Sequence, residues 1–276
     1  MDIGLSTAFL YERNILETLP VIRHGGFAAL EIWSSPNGEE YSHFDWRNDD
    51  EVRAFERALR DHGLAVNSLH APFSPRIDLS DGDEAVRKAS VDAVKRTADV
   101  LKQVGGRFLV VHPATRESHG QDRNYRFQQS RKSLEELTRH AQALGVMVAV
   151  ENQLPHILGG DVATLTALLE GLPRETVGIC FDTSHAHLDR RTSLEAMFRE
   201  LSDRVVTLHV SDNHRHYDDH LAPGAGTIHW QSFIDMLYAL RYPGIFMLEV
   251  VGHYFGENKH VNARLLFERV TELLKR

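Results

Sequence analysis

A lone cysteine, Cys180, is all that this chain of 276 residues offers to disulfide chemistry, which excludes an intramolecular cystine framework. It stands in the apolar run 177–181, where a buried core thiol is the expected role. Long hydrophobic runs are also missing. No stretch approaches the roughly 18 uninterrupted apolar residues that a membrane-spanning helix needs. Met1-Asp2-Ile3-Gly4-Leu5 has no basic segment leading into an apolar one, so it reads as the start of a strand and not as a signal peptide. A cytoplasmic location is expected. Basic charge is scarce: 31 Lys and Arg stand against 39 Asp and Glu, a formal charge of -8. That leaves no basic footprint of the kind a nonspecific nucleic-acid binder presents, although bound cations would offset the balance locally. Low-complexity tracts and Gly/Ser linkers are absent too, so residues 1–276 are expected to form one domain.

What the chain does have is a recurring unit: a short apolar segment, a polar turn, then an amphipathic stretch. The expected strands are 3–6, 28–33, 66–70, 108–112, 147–152, 177–182, 205–209 and 244–250. Several are almost continuous Val, Ile, Leu or Phe, as in strands covered on both faces. Apolar residues at three- and four-residue spacing mark helices over 51–62, 84–104, 128–144, 162–170, 193–201, 230–240 and 261–275. Gly63, Gly105 and Gly145 follow helical runs and precede strands, the place for a left-handed helix end. Eight strands alternating with helices is the count of a (β/α)8 TIM barrel; a doubly wound open sheet would normally have fewer units or a second domain.

Histidine, with 17 residues, is unusually common, and its placement carries the chemistry. His70 ends the third strand, His112 the fourth, Glu151 the fifth and Asp182 the sixth, with His185 three residues on. His209 ends the seventh, followed in its loop by Asp218 and His220, and Glu249 ends the eighth. Barrel strand ends converge on one face. Nine oxygen and nitrogen donors would therefore become neighbours at the mouth, a set suited to zinc, manganese, iron or cobalt. Any single histidine there has an equally good reading as a satisfied loop residue. Buried carboxylates at two strand ends are harder to account for without a counterion. Gly224-Ala225-Gly226 reads as a tight turn feeding the next helix or as a close backbone approach to substrate; it lacks the Gly-Lys-Ser/Thr of a P-loop. Phe9, Trp33, Phe73 and Phe255 could wall a pocket, or simply pack.

Leu69-His70-Ala71-Pro72-Phe73, Val110-Val111-His112-Pro113, Glu151-Asn152, Phe181-Asp182-Thr183-Ser184-His185, Leu208-His209-Val210-Ser211-Asp212 and Leu248-Glu249 occur in the order seen in a known superfamily. Through them nearly the whole chain resembles the xylose-isomerase-like TIM barrels, which include sugar isomerases and epimerases and apurinic endonucleases. The ketose epimerase branch implies one divalent ion, commonly manganese, on Glu151, Asp182, His209 and Glu249. Glu151 and Glu249 would then exchange a substrate proton through an enediolate of a sugar or sugar phosphate, with His185 and Arg215 contacting substrate oxygens. An acidic residue six positions after the strand-five glutamate is frequent in that branch; Ile157 stands there instead. The endonuclease branch implies three zinc ions, with His70, His112, His185, Asp218 and His220 as additional ligands, and phosphodiester hydrolysis. Its Gly-Glu-Gly segment is Gly224-Ala225-Gly226 in this chain, and the acidic charge speaks against nucleic acid. The isomerase or epimerase reading is preferred, with a small carbohydrate as partner and no membrane. A non-catalytic, metal-stabilised scaffold is the third alternative. The resemblance also implies a homo-oligomer.

Overall fold

The computed structural model describes residues 1–38, 40–251 and 259–275. Eight strands succeed one another: β1 (Ile3–Ser6), β2 (Ala29–Trp33), β3 (Ala65–His70), β4 (Phe108–Val111), β5 (Met147–Glu151), β6 (Val177–Asp182), β7 (Val205–His209) and β8 (Phe246–Leu248). Each neighbouring pair from β1 to β7 is parallel, and β1 also pairs with β8. The ring closes between β7 and β8. There the Val210 amide donates to the Met247 carbonyl at 2.8 Å, and the Glu249 amide donates to the Val210 carbonyl at 3.1 Å. A sheet that closes on itself has no edge strands, and this excludes the open doubly wound alternative.

Helices α1 (Ile15–Gly25), α2 (Asp49–His62), α3 (Glu84–Gln103), α4 (Gly120–Leu144), α5 (Val162–Leu169), α6 (Thr183–Leu188), α7 (Leu194–Leu201), α8 (Trp230–Ala239) and α9 (Lys259–Leu274) fill the connections. Their ends follow the expected chemistry. Asn48 caps α2 by accepting from the Asp50 amide, and Asp83 caps α3 by accepting from the Ala85 and Val86 amides. Gly63 and Gly145 occupy the left-handed caps of α2 and α4, at φ 61° and 70°, a conformation that costs glycine little.

Two helices escape a periodicity reading. In α1, Pro20 sits inside the helix and breaks its pattern of helix formers. The six-residue α6 is too short to show a period. Helix α4 starts at Gly120, before the expected 128, because its first turns are polar and nearly without apolar residues.

The main core lies between sheet and helices, with Leu30, Ile32, Leu69, Leu109, Val148 and Ile179 facing out from the strands. A smaller apolar layer of Phe108, Val110, Ala149 and Cys180 plugs the inside of the barrel. Cys180 is thus a buried core thiol, as expected, and burial pushes its thiol well above the usual range. This packed interior leaves the polar strand ends at the mouth as the place for chemistry.

Candidate metal centre

His70, Glu151, Asp182 and His209 are the last residues of β3, β5, β6 and β7, while His112 and Glu249 follow directly on β4 and β8. The strands therefore carry six donors to one end of the barrel. Asp182 is also the N-cap of α6, accepting from the His185 amide at 2.7 Å, and this fixes the two side chains relative to each other. The Asn152 side chain ties the same region together: its Nδ2 donates to the Asp182 carbonyl at 3.0 Å and its Oδ1 accepts from the Asp182 amide at 2.7 Å.

The nine expected donors meet in three overlapping groups. Around one oxygen of Glu151, Oε2, stand His70 Nε2 at 3.3 Å and His112 Nε2 at 3.0 Å. Around His209 Nδ1 stand Glu249 Oε2 at 3.1 Å, Glu151 Oε1 at 3.3 Å and Asp182 Oδ2 at 3.9 Å. Asp218 Oδ2 lies 3.2 Å from His185 Nε2 and 3.0 Å from His220 Nε2. Glu151 belongs to the first two groups, one oxygen to each. Asp218 and His220 come from the β7–α8 loop, where His220 holds a left-handed backbone at φ 48°.

The donor atoms fit a divalent cation. Ligands about 2.1 Å from a tetrahedral ion stand about 3.4 Å apart, and the Glu151–Asp182–His209–Glu249 atoms all lie within 4.8 Å of one another. Glu151 Oε2, Asp182 Oδ2, Asp218 Oδ1 and His209 Nδ1 are buried without a hydrogen-bond partner. Buried polar atoms normally have partners, and unpartnered carboxylate oxygens and an imidazole nitrogen spread over these groups are what bound cations would satisfy.

The electrostatics are those of charges crowded out of water. Burial pushes the Asp182 carboxyl up to about 7, with Glu151, Glu249 and Asp218 adding to the rise against His185. Burial works against the charge of Glu249 as well, yet His209 and His220 hold it down to about 2. Burial opposes the charge on His220, but Asp218, Glu249 and Asp182 raise it to about 10. Among themselves these groups share protons that a bound cation would displace.

The mouth holds a cavity of about 190 Å³ lined by Trp33, Phe73, Leu154 and Ile157 together with Glu151, Glu249 and the neighbouring histidines. Phe73 stacks on His112 with ring centroids 4.0 Å apart, and Trp33 meets Phe73 edge-on at 5.5 Å. Phe9 is buried in the core away from these walls, and Phe255 lies outside the described residues. His185 lines the cavity, but Arg215 does not: its guanidinium donates to the His187 and Asp189 carbonyls, both at 3.1 Å. Gly224-Ala225-Gly226 is a structural turn. The Gly224 amide donates to Asp212, and a Cβ on Gly226 would come within 2.4 Å of the Asn213 carbonyl oxygen.

Glu31 is the site residue that motif reading passes over. Fully buried on β2, its Oε2 accepts from His209 Nε2 at 2.9 Å and from the Ser68 hydroxyl at 2.7 Å. A signal existed: it is the single charge in the apolar segment 28–33.

A family model described as xylose isomerase-like TIM barrel matches residues 20–273. The chain is 27% identical over 225 residues to a probable endonuclease 4 of Thermoplasma acidophilum, covering 74% of this chain and 76% of the relative. It is also 27% identical over 206 residues to a ketose 3-epimerase of Arthrobacter globiformis, covering 72% and 68%. Among solved structures, a D-tagatose 3-epimerase-like protein superposes with a TM-score of 0.83 at 19% identity, covering 99% of this chain and 98% of that one. D-psicose 3-epimerase from Clostridium cellulolyticum, with D-tagatose, has the same TM-score at 16% identity over the whole of both chains.

Proposed function

We propose that this chain, which belongs to the xylose isomerase-like TIM barrel family, is a divalent-metal-dependent isomerase or epimerase of a small carbohydrate. The observation that carries the reading is the grouping of Glu151 and Glu249 with Asp182 and His209, the two glutamates also lining a cavity of about 190 Å³. A cation held by those four residues would polarise the substrate carbonyl and its neighbouring hydroxyl and so make the adjoining C–H bond more acidic. Manganese and zinc both suit this oxygen and nitrogen set.

The chain's own residues supply the rest. One glutamate removes the carbon-bound proton, leaving an enediolate, and the other returns a proton to carbon. Both are ligand candidates, so each would act through an oxygen that the cation leaves free. Trp33 and Phe73 form an apolar wall of the kind on which the C–H face of a sugar rests. His185 lines the same cavity, but would meet a substrate oxygen through Nε2 only by giving up Asp218, since its Nδ1 already faces the Asn152 carbonyl. Among the described residues that line the cavity there is no Lys or Arg, but Arg190 and Arg215 line an adjoining cavity that shares Leu154 and Asp218 with it, so a free sugar and a sugar phosphate both belong in the test. Arg215 would contact substrate only after releasing its two backbone carbonyls. The size of the cavity, below the usual range of drug-sized ligand sites, also fits a small substrate.

The test is exchange of a substrate carbon-bound proton with solvent deuterium across a ketose and ketose-phosphate panel. Metal-dependent exchange is expected, with Glu151→Gln and Glu249→Gln each lowering it by roughly a hundred- to ten-thousandfold. Retained turnover in either variant rejects its acid–base role. Absence of exchange with every substrate rejects the reading.

One observation favours a second reading, a trinuclear zinc phosphodiesterase: all nine donors are present, and Glu151 offers one oxygen to each of two groups. Three zinc ions in the native protein, together with cleavage of an abasic duplex, would decide for it. One manganese ion per chain would decide against it.

A further inference from the structure

We infer that Glu31 is a positioning residue for the metal centre: it holds His209 so that Nδ1, and not Nε2, faces the cation. The two side chains come from β2 and β7, strands separated by β1 and β8 around the ring, and meet at 2.9 Å. An imidazole that gives its Nε2 proton to a carboxylate presents its lone pair at Nδ1 when it ligates. Nδ1 is the atom surrounded by Glu151, Asp182 and Glu249, and it has no hydrogen-bond partner of its own.

Glu31 is itself held in place. The Ser68 hydroxyl donates to the same oxygen at 2.7 Å, and Asn67 Nδ2 reaches both Ser68 Oγ and Thr207 Oγ1 at 3.3 Å. A polar string thus runs across β3 to β7 beneath the ligands. His209 also differs from its neighbours in the kind of support it receives. The second nitrogens of His70, His185 and His220 donate to backbone carbonyls, of Ala71, Asn152 and Glu249. A carboxylate is a stronger acceptor than a carbonyl and makes the opposite nitrogen the better donor to metal. A fully buried carboxylate with one oxygen, Oε1, lacking any partner is costly as packing alone. Orienting and strengthening one ligand is a role that offsets this cost.

The inference rests on the metal-binding part of the proposed function and not on the sugar chemistry. Its test is the dissociation constant of Mn2+ and Zn2+, measured by chelator competition in the purified full chain for wild type, Glu31→Gln and Glu31→Ala. Glu31→Gln keeps an acceptor for His209 and loses the charge; Glu31→Ala loses both. We expect weakening of about 10- to 100-fold in Glu31→Ala and a smaller loss in Glu31→Gln. Long-range 15N–1H spectra of the zinc-loaded protein should show His209 protonated at Nε2 in wild type and in Glu31→Gln. Affinities within twofold of wild type in a folded variant overturn the inference. So does a His209 ligated through Nε2. If Glu31→Ala does not fold, Glu31→Gln and the wild-type spectrum still decide. Wild type that binds neither ion fails the metal reading itself, a result distinct from wild type and variants binding equally well.

Discussion

At the scale of single residues, the centre is a problem in shared protons. Burial opposes the charge of His185 and His209, yet both lie well above the usual histidine range. Asp182, Asp218 and Glu151 raise His185, Cys180 and the surrounding carboxylates raise His209, and His220 stands at about 10. Asp182 holds its proton up to about 7. A cation needs neutral imidazoles and ionised carboxylates, so each of these groups must give up its proton on binding. Binding therefore releases protons, and affinity should rise with pH, most steeply around and above neutrality. Calorimetry at pH 6 and pH 8, in buffers of different ionisation heat, checks both statements. A dissociation constant independent of pH, with no proton release, would contradict them. His70 and His112 behave differently from each other although both approach Glu151. Burial wins for His112, which is lowered, whereas Glu151 wins for His70, which is raised.

At the scale of elements, the β7–α8 loop needs an anchor to carry Asp218 and His220 to the mouth. Asp212 provides it. Its Oδ1 accepts from the Asn213 and Ile228 amides at 2.9 and 3.1 Å, and its Oδ2 accepts from the Gly224 amide at 2.9 Å and Trp230 Nε1 at 2.8 Å. Backbone bonds between Asp212 and Leu221 close the base of the loop. Asp212→Ala would strand buried donors and should cost about 3 kcal/mol or more, read from urea unfolding. The same variant should displace Asp218 and His220 while leaving the affinity of the Glu151 group, which rests on strands, within a few-fold of wild type. A larger loss at the Glu151 group would mean the loop is not an independent support. Element by element, a sequence reading locates the strands well, because strands buried on both faces are apolar runs that need no partner to be recognised. It does poorly where local composition is silent, as in α1 with Pro20 and in the polar first turns of α4.

At the scale of the whole molecule, the described residues place the apolar core apart from the polar mouth, so folding and metal binding are separable. Chelation should leave a cooperatively folding barrel with unchanged far-ultraviolet circular dichroism. A ligand that binds only the native state adds about 4 kcal/mol at a thousandfold excess over its dissociation constant. For a domain of this size that corresponds to a melting temperature higher by about 10 °C. Unfolding on chelation would contradict this and favour a metal-stabilised scaffold over an enzyme. None of the described helices is long and apolar enough to cross a membrane.

The sequence by itself determined the succession of strands, the barrel count and the list of nine candidate donors, because apolar periodicity and the polar residue that ends a strand are local properties of the chain. Only the tertiary structure decided how those donors group, that Arg215 turns to backbone carbonyls, and that Glu31 stands behind His209. Those facts depend on closure of the ring, which brings residues 178 positions apart to within hydrogen-bond distance. No local pattern encodes which nitrogen of an imidazole faces a cation. That is set by whatever the barrel places on its other side.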